Sequence, residues 1–322
     1  MTLIGRKGLQ GCSLPVLITP VVSNESLIEA FSRLRVKVQQ HLSTIGGVLL
    51  RGFSVLTIDE FQRFASSFGY PLLSYEFAST PRSNLSGGIY SSTEYPAHQH
   101  IPLHNEQAYT REWPMKIWFH CVTASPVGGE TPIADSRAIY RRMPDHIRNK
   151  FEQGLLYVRN YGEFDVPWQT VFGTDSKAEV EAFCRRSNIQ YQWKENDGLR
   201  TLQLCQGIET HPSTNEKVWF NQAHLFHVSN LQAEVRESLE ELLGIDNLPR
   251  NVYYADGSEI EDEVLDEVRA IHTEETVIFP WQEGDVMMLD NMLTAHARMP
   301  FEGKRKVVVA MAEPYGNLTK SL

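Results

Sequence analysis

The stretch VIFPWQEGDVMMLDNMLTAHARMPFEGKRKVVVAMAEP, residues 277–314, alternates short apolar runs with turns. The turn Glu283-Gly284-Asp285 separates a first run from a second at residues 286–290, and a polar link leads to a third at residues 306–312. Short runs bounded by glycine and proline are typical of strands in a sandwich or jelly roll. The segment therefore predicts a sheet-based fold.

The first half of the chain shows the same pattern. Residues 46–55 (GGVLLRGFSV) and 115–125 (MKIWFHCVTAS) are predicted strands, and the turn at residues 126–130 (PVGGE) leads to a short strand at residues 131–135. Between the first two strands, Phe61, Phe64 and Phe68 share one helical face, which predicts a helix packed on the sheet. We therefore predict an α+β protein that is mostly β.

The middle of the chain, at about residues 160–275, mixes predicted helices with strands around LRTLQLCQ and EKVWFNQ. Because the strands on both sides of this segment must pair somewhere, we predict a single domain over residues 1–322 with a largely helical lid inserted at about residues 160–275. An acidic run at residues 259–267 carries Ile260, Val264 and Val268 at helical spacing, which favours a solvated helix face over a calcium site.

Composition excludes several classes of protein. With 40 acidic and 30 basic residues the formal net charge is −10, which gives no basic footprint for nucleic acid or anionic lipid. No apolar segment approaches the ~18 residues that cross a bilayer, and two prolines interrupt the apolar run near the start, so neither a membrane span nor a secretory signal is predicted. The four cysteines form no CxxC pair, which favours a reduced cytoplasmic compartment and argues against a zinc knuckle. They are Cys12, Cys121, Cys184 and Cys205.

The segment LHNEQAY, residues 103–109, carries a histidine and a glutamate two positions apart. On a strand, His104 and Glu106 point to the same face while Asn105 points away, so the two side chains can bind one ion. His296 is the candidate third ligand because a returning strand could bring it close. Two histidines and one carboxylate form the facial triad of non-haem Fe(II) oxygenases. The HxE pair alone is a weak signal among 11 histidines, for which hydrogen bonding in the core or at the surface is the default.

Basic residues follow His296. Lys304 and Lys306 fit an exposed basic turn, whereas Arg305 has the strand parity of the apolar Val307 and Val309 and so faces the interior or caps the strand. An arginine there suits a carboxylate ligand. In GGETPIAD, residues 128–135, two glycines permit a tight turn, and Thr131 offers a hydroxyl that can share a carboxylate with an arginine.

Six segments, taken in order, resemble the taurine dioxygenase (TauD/TfdA-like) superfamily of Fe(II)/2-oxoglutarate oxygenases, and within it the SyrP-like branch found in peptide-antibiotic biosynthesis. They are GGVLLRGF, STEYPA, LHNEQAY, GGETPIAD, WFNQAHLFH and DNMLTAHARMPFEGKRKVVVAM. The resemblance covers about residues 45–313 and implies a double-stranded β-helix, the cupin-like jelly roll.

The resemblance also implies a ligand set. Fe(II) would be held by His104, Glu106 and His296, and the distal carboxylate of 2-oxoglutarate by Arg305 and Thr131. The distance from the distal histidine to this arginine varies in the superfamily, so Lys306 and Arg298 stay open as alternatives to Arg305. With O2 as the second co-substrate, the implied reaction hydroxylates an unactivated C–H bond and releases succinate and CO2. A small residue replaces the carboxylate in related halogenases, so Glu106 disfavours halogenation.

The same ligands serve a desaturase or an epoxidase, and a cupin-like metal hydrolase or isomerase could use the same triad. The branch implies an amino acid or amino-acid-derived substrate, either free or tethered to a peptidyl carrier protein. Candidate substrate contacts are Arg298, for a carboxylate, with Asn221 and His224 near the lid. His98 and His100 are interpreted as a loop wall, with a second metal pair as the alternative. The pattern does not indicate an oligomeric state.

Overall fold

A computed structural model of the protein describes residues 6–7, 13–54, 56–73, 84–91, 95–162, 164–195 and 197–318. Cys12, Val55 at the end of the first predicted strand, and residues 92–94 of the STEYPA segment lie outside the described residues. Within them, the strands are β1 Arg6–Lys7, β2 Val16–Ile18, β3 Gly47–Leu50, β4 Asn84–Ser86, β5 Ile89–Ser91, β6 Ile101–His104, β7 Glu112–Thr123, β8 Val127–Gly128, β9 Ile133–Asp135, β10 Leu155–Tyr161, β11 Gln190–Trp193, β12 Leu199–Cys205, β13 Ile208–Thr210, β14 Lys217–Trp219, β15 Arg250–Tyr254, β16 Val277–Ile278, β17 Val286–Asp290, β18 Thr294–Arg298, β19 Phe301–Glu302 and β20 Lys306–Gly316.

The α-helices in the same residues are α1 Leu27–Thr44, α2 Ile58–Ser66, α3 Ser136–Arg142, α4 Asp145–Phe151, α5 Trp168–Phe172, α6 Lys177–Arg186, α7 Ala223–Phe226, α8 Ala233–Leu243 and α9 Asp262–Glu275. Helix α2 begins with a capping box, because the Thr57 side chain accepts from the Glu60 N–H and the Glu60 carboxylate accepts from the Thr57 N–H. Among the described residues, none of these helices is long and apolar enough to cross a membrane.

A seven-stranded major sheet has the order β2-β3-β17-β7-β20-β5-β4, and its central strand β7 pairs with both β17 and β20. Side chains on alternate positions, such as Trp118 and Val308, pack under α1 and α2. The intervening positions, such as Phe119 and Val309, point to the other face. Both faces of this sheet are therefore buried, which explains why its strands are continuous apolar runs.

A five-stranded minor sheet, β1-β16-β9-β18-β6, faces the major sheet. Its Ile133, together with Phe279 and Trp281 that follow β16, joins Phe119 and Val309 of the major sheet in one buried cluster. Burial of each such side chain contributes about 2 kcal/mol. The two packed sheets form the jelly-roll core of a mixed α+β protein, which confirms the predicted fold class.

The chain leaves the minor sheet after Asp135 and returns to it at Val277. The intervening residues combine helices α3–α9 with a four-stranded antiparallel sheet of order β11-β12-β10-β15. Phe226 of α7 and Val268 of α9 pack on Leu103 and Ala295, which lie on the minor-sheet face turned away from the major sheet. This segment therefore covers the outer side of the sheet that carries the candidate ligands.

Candidate metal centre

His104, Glu106 and His296 converge on one wall of the jelly roll. Strand β18 pairs with β6 so that His296 lies directly opposite His104, and the two ring centroids are 4.5 Å apart. The Nε2 atom of His296 is 3.7 Å from Oε2 of Glu106. One ligand atom from each of the three residues lies within 4.8 Å of the other two. The register of β6 and β18 thus brings together residues that are far apart in sequence.

The donor set fits a divalent metal ion. Two atoms bound at ~2.1 Å to one ion are at most about 4 Å apart, so the observed separations need only small side-chain rotations. Nδ1 of His104 lies 2.8 Å from the Pro102 carbonyl and donates to it, which leaves Nε2 as the ligand atom. Nδ1 of His296 is buried and has no partner among the described residues. Two imidazoles with one carboxylate leave open coordination positions for a co-substrate.

The two residues of the HxE pair do not both lie on a strand, although the sequence pattern predicted this. Strand β6 ends at His104, and Glu106 lies in the turn that follows, where Gln107 has a positive φ of 56°. Asn105 is buried, and its Nδ2 donates to Ser136 Oγ at 3.0 Å and to the Asn291 carbonyl at 2.6 Å. The spacer therefore anchors the turn to the fold, and does not project into solvent.

Thr131 and Arg305 lie together beside this wall. Nε of Arg305 donates to the Gly129 carbonyl at 2.8 Å, and Nη2 approaches Thr131 Oγ1 at 3.5 Å. Nε1 of Trp281 donates to the same Thr131 Oγ1 at 3.0 Å. Thr131 precedes by two residues the Ile133 that pairs with His296, so the pair is close to the triad in the sheet register. The Phe301 ring packs against the Arg305 guanidinium.

Arg305 is partly buried and lies near a second guanidinium, that of Arg298. Burial, followed by the nearby Arg298 guanidinium, lowers the pKa of Arg305 from 12.5 to about 10. At neutral pH the side chain still carries its charge. Lys304 and Lys306 are exposed, in agreement with the interpretation of a basic turn. A half-buried cation of this kind stabilises an anionic ligand such as a carboxylate.

The three candidate substrate residues make hydrogen bonds to backbone groups. Arg298 donates to the carbonyls of Tyr95, Pro96 and Gln99 at 2.7–3.0 Å, so it anchors the loop before β6. The Asn221 side chain donates to Gly207 and accepts from the Ala223 N–H. Nε2 of His224 bonds to the Leu103 carbonyl at 2.8 Å. Their described partners are backbone groups outside the triad.

His98, His100, His224 and His272 line a cavity of about 420 Å³ whose other walls are mostly apolar. The His224 and His272 rings are in contact, with centroids 4.5 Å apart. Burial lowers the pKa of both, that of His272 to about 4, so both are neutral at pH 7. Among the described residues, the group of three or more metal-ligating side chains that lie close enough together to hold one ion is His104, Glu106 and His296, and a second metal pair at His98 and His100 stays a prediction.

Several residues of the site were not singled out by the sequence. Trp281 contacts Thr131, the Phe119 ring lies 5.1 Å from that of His296, and Asn291 binds the Glu106 backbone. Strand parity alone could have placed Phe119 in the interior. The other two act across long sequence separations, for which the sequence carried no signal.

A family model described as taurine catabolism dioxygenase TauD, TfdA family matches residues 18–311. The chain belongs to this family, and it is a dioxygenase that depends on Fe(II) and 2-oxoglutarate. The recognition of the superfamily from sequence is thereby confirmed.

Two curated relatives are similar over most of their length. The dapdiamide synthesis protein DdaC of Enterobacter agglomerans is 42% identical over 300 residues, which cover 92% of this chain and 91% of DdaC. A clavaminate synthase-like protein of Arabidopsis thaliana is 33% identical over 296 residues, which cover 86% of each chain.

Solved structures show the same fold at low identity. PvcB of Pseudomonas aeruginosa has 15% identity and a TM-score of 0.55, with 92% of this chain and 84% of PvcB covered. A taurine dioxygenase from Burkholderia xenovorans has 16% identity and a TM-score of 0.52, with coverage of 94% and 88%.

Proposed function

We propose that His104, Glu106 and His296 hold the Fe(II), and that Thr131 and Arg305 bind the distal carboxylate of 2-oxoglutarate. The enzyme then hydroxylates an unactivated C–H bond of an amino acid or amino-acid-derived substrate in natural-product biosynthesis. The observation that carries the proposal is the convergence of the three ligand atoms within 4.8 Å on the wall beside Thr131.

Hydrogen-bond accounting supports the role of Thr131. A hydroxyl group donates one hydrogen and accepts two bonds. Trp281 Nε1 and, over a longer contact, Arg305 Nη2 both donate to Thr131 Oγ1, so the lone pairs are engaged and the hydroxyl hydrogen can be donated to a ligand. A carboxylate oxygen is such an acceptor, and the Arg305 guanidinium supplies the opposite charge.

The protein groups orient and enclose the reaction. His104 is fixed by Pro102, and the aromatic rings of Phe119 and Trp281 help to exclude water from the space between the sheets. When bound, Fe(II) with 2-oxoglutarate and O2 supplies the oxidation that converts C–H to C–OH, with release of succinate and CO2. Because the Glu106 carboxylate would take the coordination position that a halide would need, it favours hydroxylation over halogenation.

The substrate class is inferred from relatives. DdaC is by name a dapdiamide synthesis protein, and it is similar over nearly the whole chain, which supports a small amino-acid-derived substrate. Tethering to a peptidyl carrier protein stays a prediction, as do substrate contacts by Arg298, Asn221 and His224. Family membership favours an oxygenase over the cupin-like hydrolase or isomerase. The cytoplasmic location also stays a prediction, supported by the free thiols of the three described cysteines.

The test is product analysis with Fe(II), 2-oxoglutarate and O2, over a panel of amino acids offered both free and loaded on a carrier protein. We expect succinate formation coupled to a product that has gained one oxygen atom. A desaturated product would lack two hydrogens, and NMR would distinguish an epoxide from an alcohol. Turnover that persists without O2, or a chlorinated product, would contradict the proposal. Glu106→Ala provides the matched inactive protein.

A further inference from the structure

The side chain of Asn291 binds both backbone polar groups of the candidate ligand Glu106. The Glu106 N–H donates to Asn291 Oδ1 at 2.7 Å, and Asn291 Nδ2 donates to the Glu106 carbonyl at 2.9 Å. Asn291 is fully buried. The side-chain amide thus pairs with both backbone groups of Glu106, as a neighbouring strand would.

These two hydrogen bonds lie beyond the point where the pairing of strands β6 and β18 ends. The last register pair between β6 and β18 on this side is His104 with His296, and the chain then turns, with Gln107 at φ 56°. The Glu106 backbone therefore lies beyond the described strand pairs of β6 and β18. Since the direction of a side chain follows from its backbone, the two bonds to the Asn291 amide constrain where the Glu106 carboxylate points.

Asn291 is itself held in one position. Its Nδ2 also donates to the Pro114 carbonyl at 2.8 Å, and its backbone N–H donates to the Met115 carbonyl at 2.9 Å. The preceding Asp290 accepts from the N–H groups of Met292 and Leu293 through Oδ1. This corner links β17 to β18, the strand that carries His296, so one rigid turn supports both sides of the metal site.

We propose that Asn291 is a positioning residue for the metal-binding carboxylate, acting through the backbone of Glu106. The inference rests on the proposed role of Glu106 as a ligand and adds a residue that sets its geometry. Removal of a group that orients a metal ligand typically lowers metal affinity by about 10- to 100-fold. We expect a loss of this size for Asn291→Ala.

The test measures Co(II) affinity by absorption spectroscopy, together with the unfolding temperature, in a double-mutant cycle with Glu106→Ala. In the wild-type background Asn291→Ala should weaken Co(II) binding by about 10- to 100-fold. In the Glu106→Ala background it should change the remaining affinity by no more than about twofold, because it acts only through Glu106. Equal losses in both backgrounds would show a general structural role and overturn the proposal.

Asn160→Ala is the matched control. Asn160 is also buried, and its Nδ2 donates to the carbonyls of Leu248 and Asp246 in the inserted segment. It should lower stability without changing Co(II) affinity, and an equal affinity loss would contradict the specific role of Asn291. If Asn291→Ala does not fold, Asn291→Asp, which keeps the acceptor for the Glu106 N–H, enters the same cycle.

Failure of the ligand assignment would look different. If Glu106→Ala leaves Co(II) affinity unchanged, Glu106 is not a ligand and both proposals fall. If Glu106→Ala weakens binding but Asn291→Ala does not, the ligand assignment stands and only the positioning role is wrong.

Discussion

Arg305 differs from its basic neighbours in burial. Lys304 and Lys306 are exposed, whereas Arg305 lies half-buried at the head of β20 with the parity of Val307, which faces the space between the sheets. Its guanidinium is fixed by the Gly129 carbonyl and keeps its charge at neutral pH, with a pKa lowered to about 10 by burial and by Arg298. These contacts favour Arg305 over Lys306 as the partner of 2-oxoglutarate.

Arg305→Met should raise the KM for 2-oxoglutarate by about 10- to 100-fold, because a charged hydrogen-bonded pair is worth about 1.5–3 kcal/mol. Steady-state succinate formation measures the effect. Lys306→Met is the matched control and should leave KM within about twofold, as expected for an exposed lysine. A larger effect for Lys306→Met than for Arg305→Met would reverse the assignment.

Residue patterns in the sequence identified the candidate metal ligands, but not the residues that hold them in position. His104 and Glu106 follow from a two-residue spacing, and His296 was chosen because a returning strand could bring it close. Asn291 was not anticipated, since its bond to Glu106 spans 185 positions and depends on the final arrangement of the turn. The contacts of the Arg298 guanidinium with three loop carbonyls were likewise not evident from the sequence, and its contact with a substrate carboxylate stays a prediction.

At the scale of elements, the turn between β8 and β9 shapes the Arg305 site. Gly128 and Gly129 have positive φ angles of 67° and 75°, a conformation that glycine adopts without strain. A Cβ on Gly129 would lie 2.9 Å from Arg305 Cδ and 3.1 Å from the Phe301 Cβ. The predicted tight turn is thus also a close approach of backbone to the candidate 2-oxoglutarate residue.

Gly129→Ala should displace the Arg305 side chain and raise the KM for 2-oxoglutarate, while Co(II) affinity stays unchanged. Gly173→Ala is the control, because Gly173 has a similar φ of 65° but no atom within 4 Å of its added Cβ. Both variants carry the same backbone strain of about 1 kcal/mol, so only crowding separates them. An equal KM for the two variants would contradict the proposed contact.

Helices α7 and α9 bury a neutral histidine pair. The ring of His272 in α9 contacts that of His224 in α7, and its Nδ1 donates to the Val268 carbonyl at 2.8 Å. Burial lowers the pKa of His272 from 6.5 to about 4. As pH falls, the His272 imidazole therefore becomes protonated at a higher pH in the unfolded chain than in the folded protein.

The contribution of His272 to the stability of the metal-free protein should be constant above about pH 6.5, fall as pH drops from 6.5 to about 4, and level off below that. The pKa difference corresponds to about 3 kcal/mol. His272→Phe keeps an aromatic ring in contact with His224. It should reduce the slope of the free energy of urea unfolding against pH between pH 6.5 and about 4. Asn160→Ala should lower the whole curve without changing its slope. An unchanged slope for His272→Phe would contradict the assignment.

Element prediction succeeded where the apolar pattern was strong. The predicted strands at residues 286–290 and 306–312 correspond to β17 and to most of β20. The stretch between them was taken as a polar link, yet Thr294–Arg298 forms β18 and carries His296. Its sequence, TAHAR, mixes small and polar residues and has little strand propensity, and pairing with both β6 and β9 makes it a strand.

At the scale of the whole molecule, the inserted segment bonds directly to the metal-site turn. Gln222 Nε2 donates to the Asn105 carbonyl at 2.8 Å, and Gln206 Nε2 donates to the carbonyls of Ala108 and Thr110 at 2.8 and 2.9 Å. These contacts support our proposal that residues 1–322 form one domain, because the insertion completes hydrogen bonds of the core.

We expect a single cooperative unfolding transition in urea, with tryptophan fluorescence and far-UV circular dichroism coinciding. Tryptophans occur both in the core sheets and in the inserted segment, for example Trp118 and Trp168, so both regions contribute to the fluorescence. Two separate transitions would show that the inserted segment unfolds independently and would contradict the single-domain proposal.

The most direct measurement adds Fe(II) and 2-oxoglutarate to the purified protein without oxygen and records the visible spectrum. The proposed site predicts a weak metal-to-ligand charge-transfer band for the wild type and for Lys306→Met, and loss of both the band and the bound iron in His104→Ala and His296→Ala. No band in the wild type, or full iron content in His296→Ala, would contradict the assignment of the metal centre.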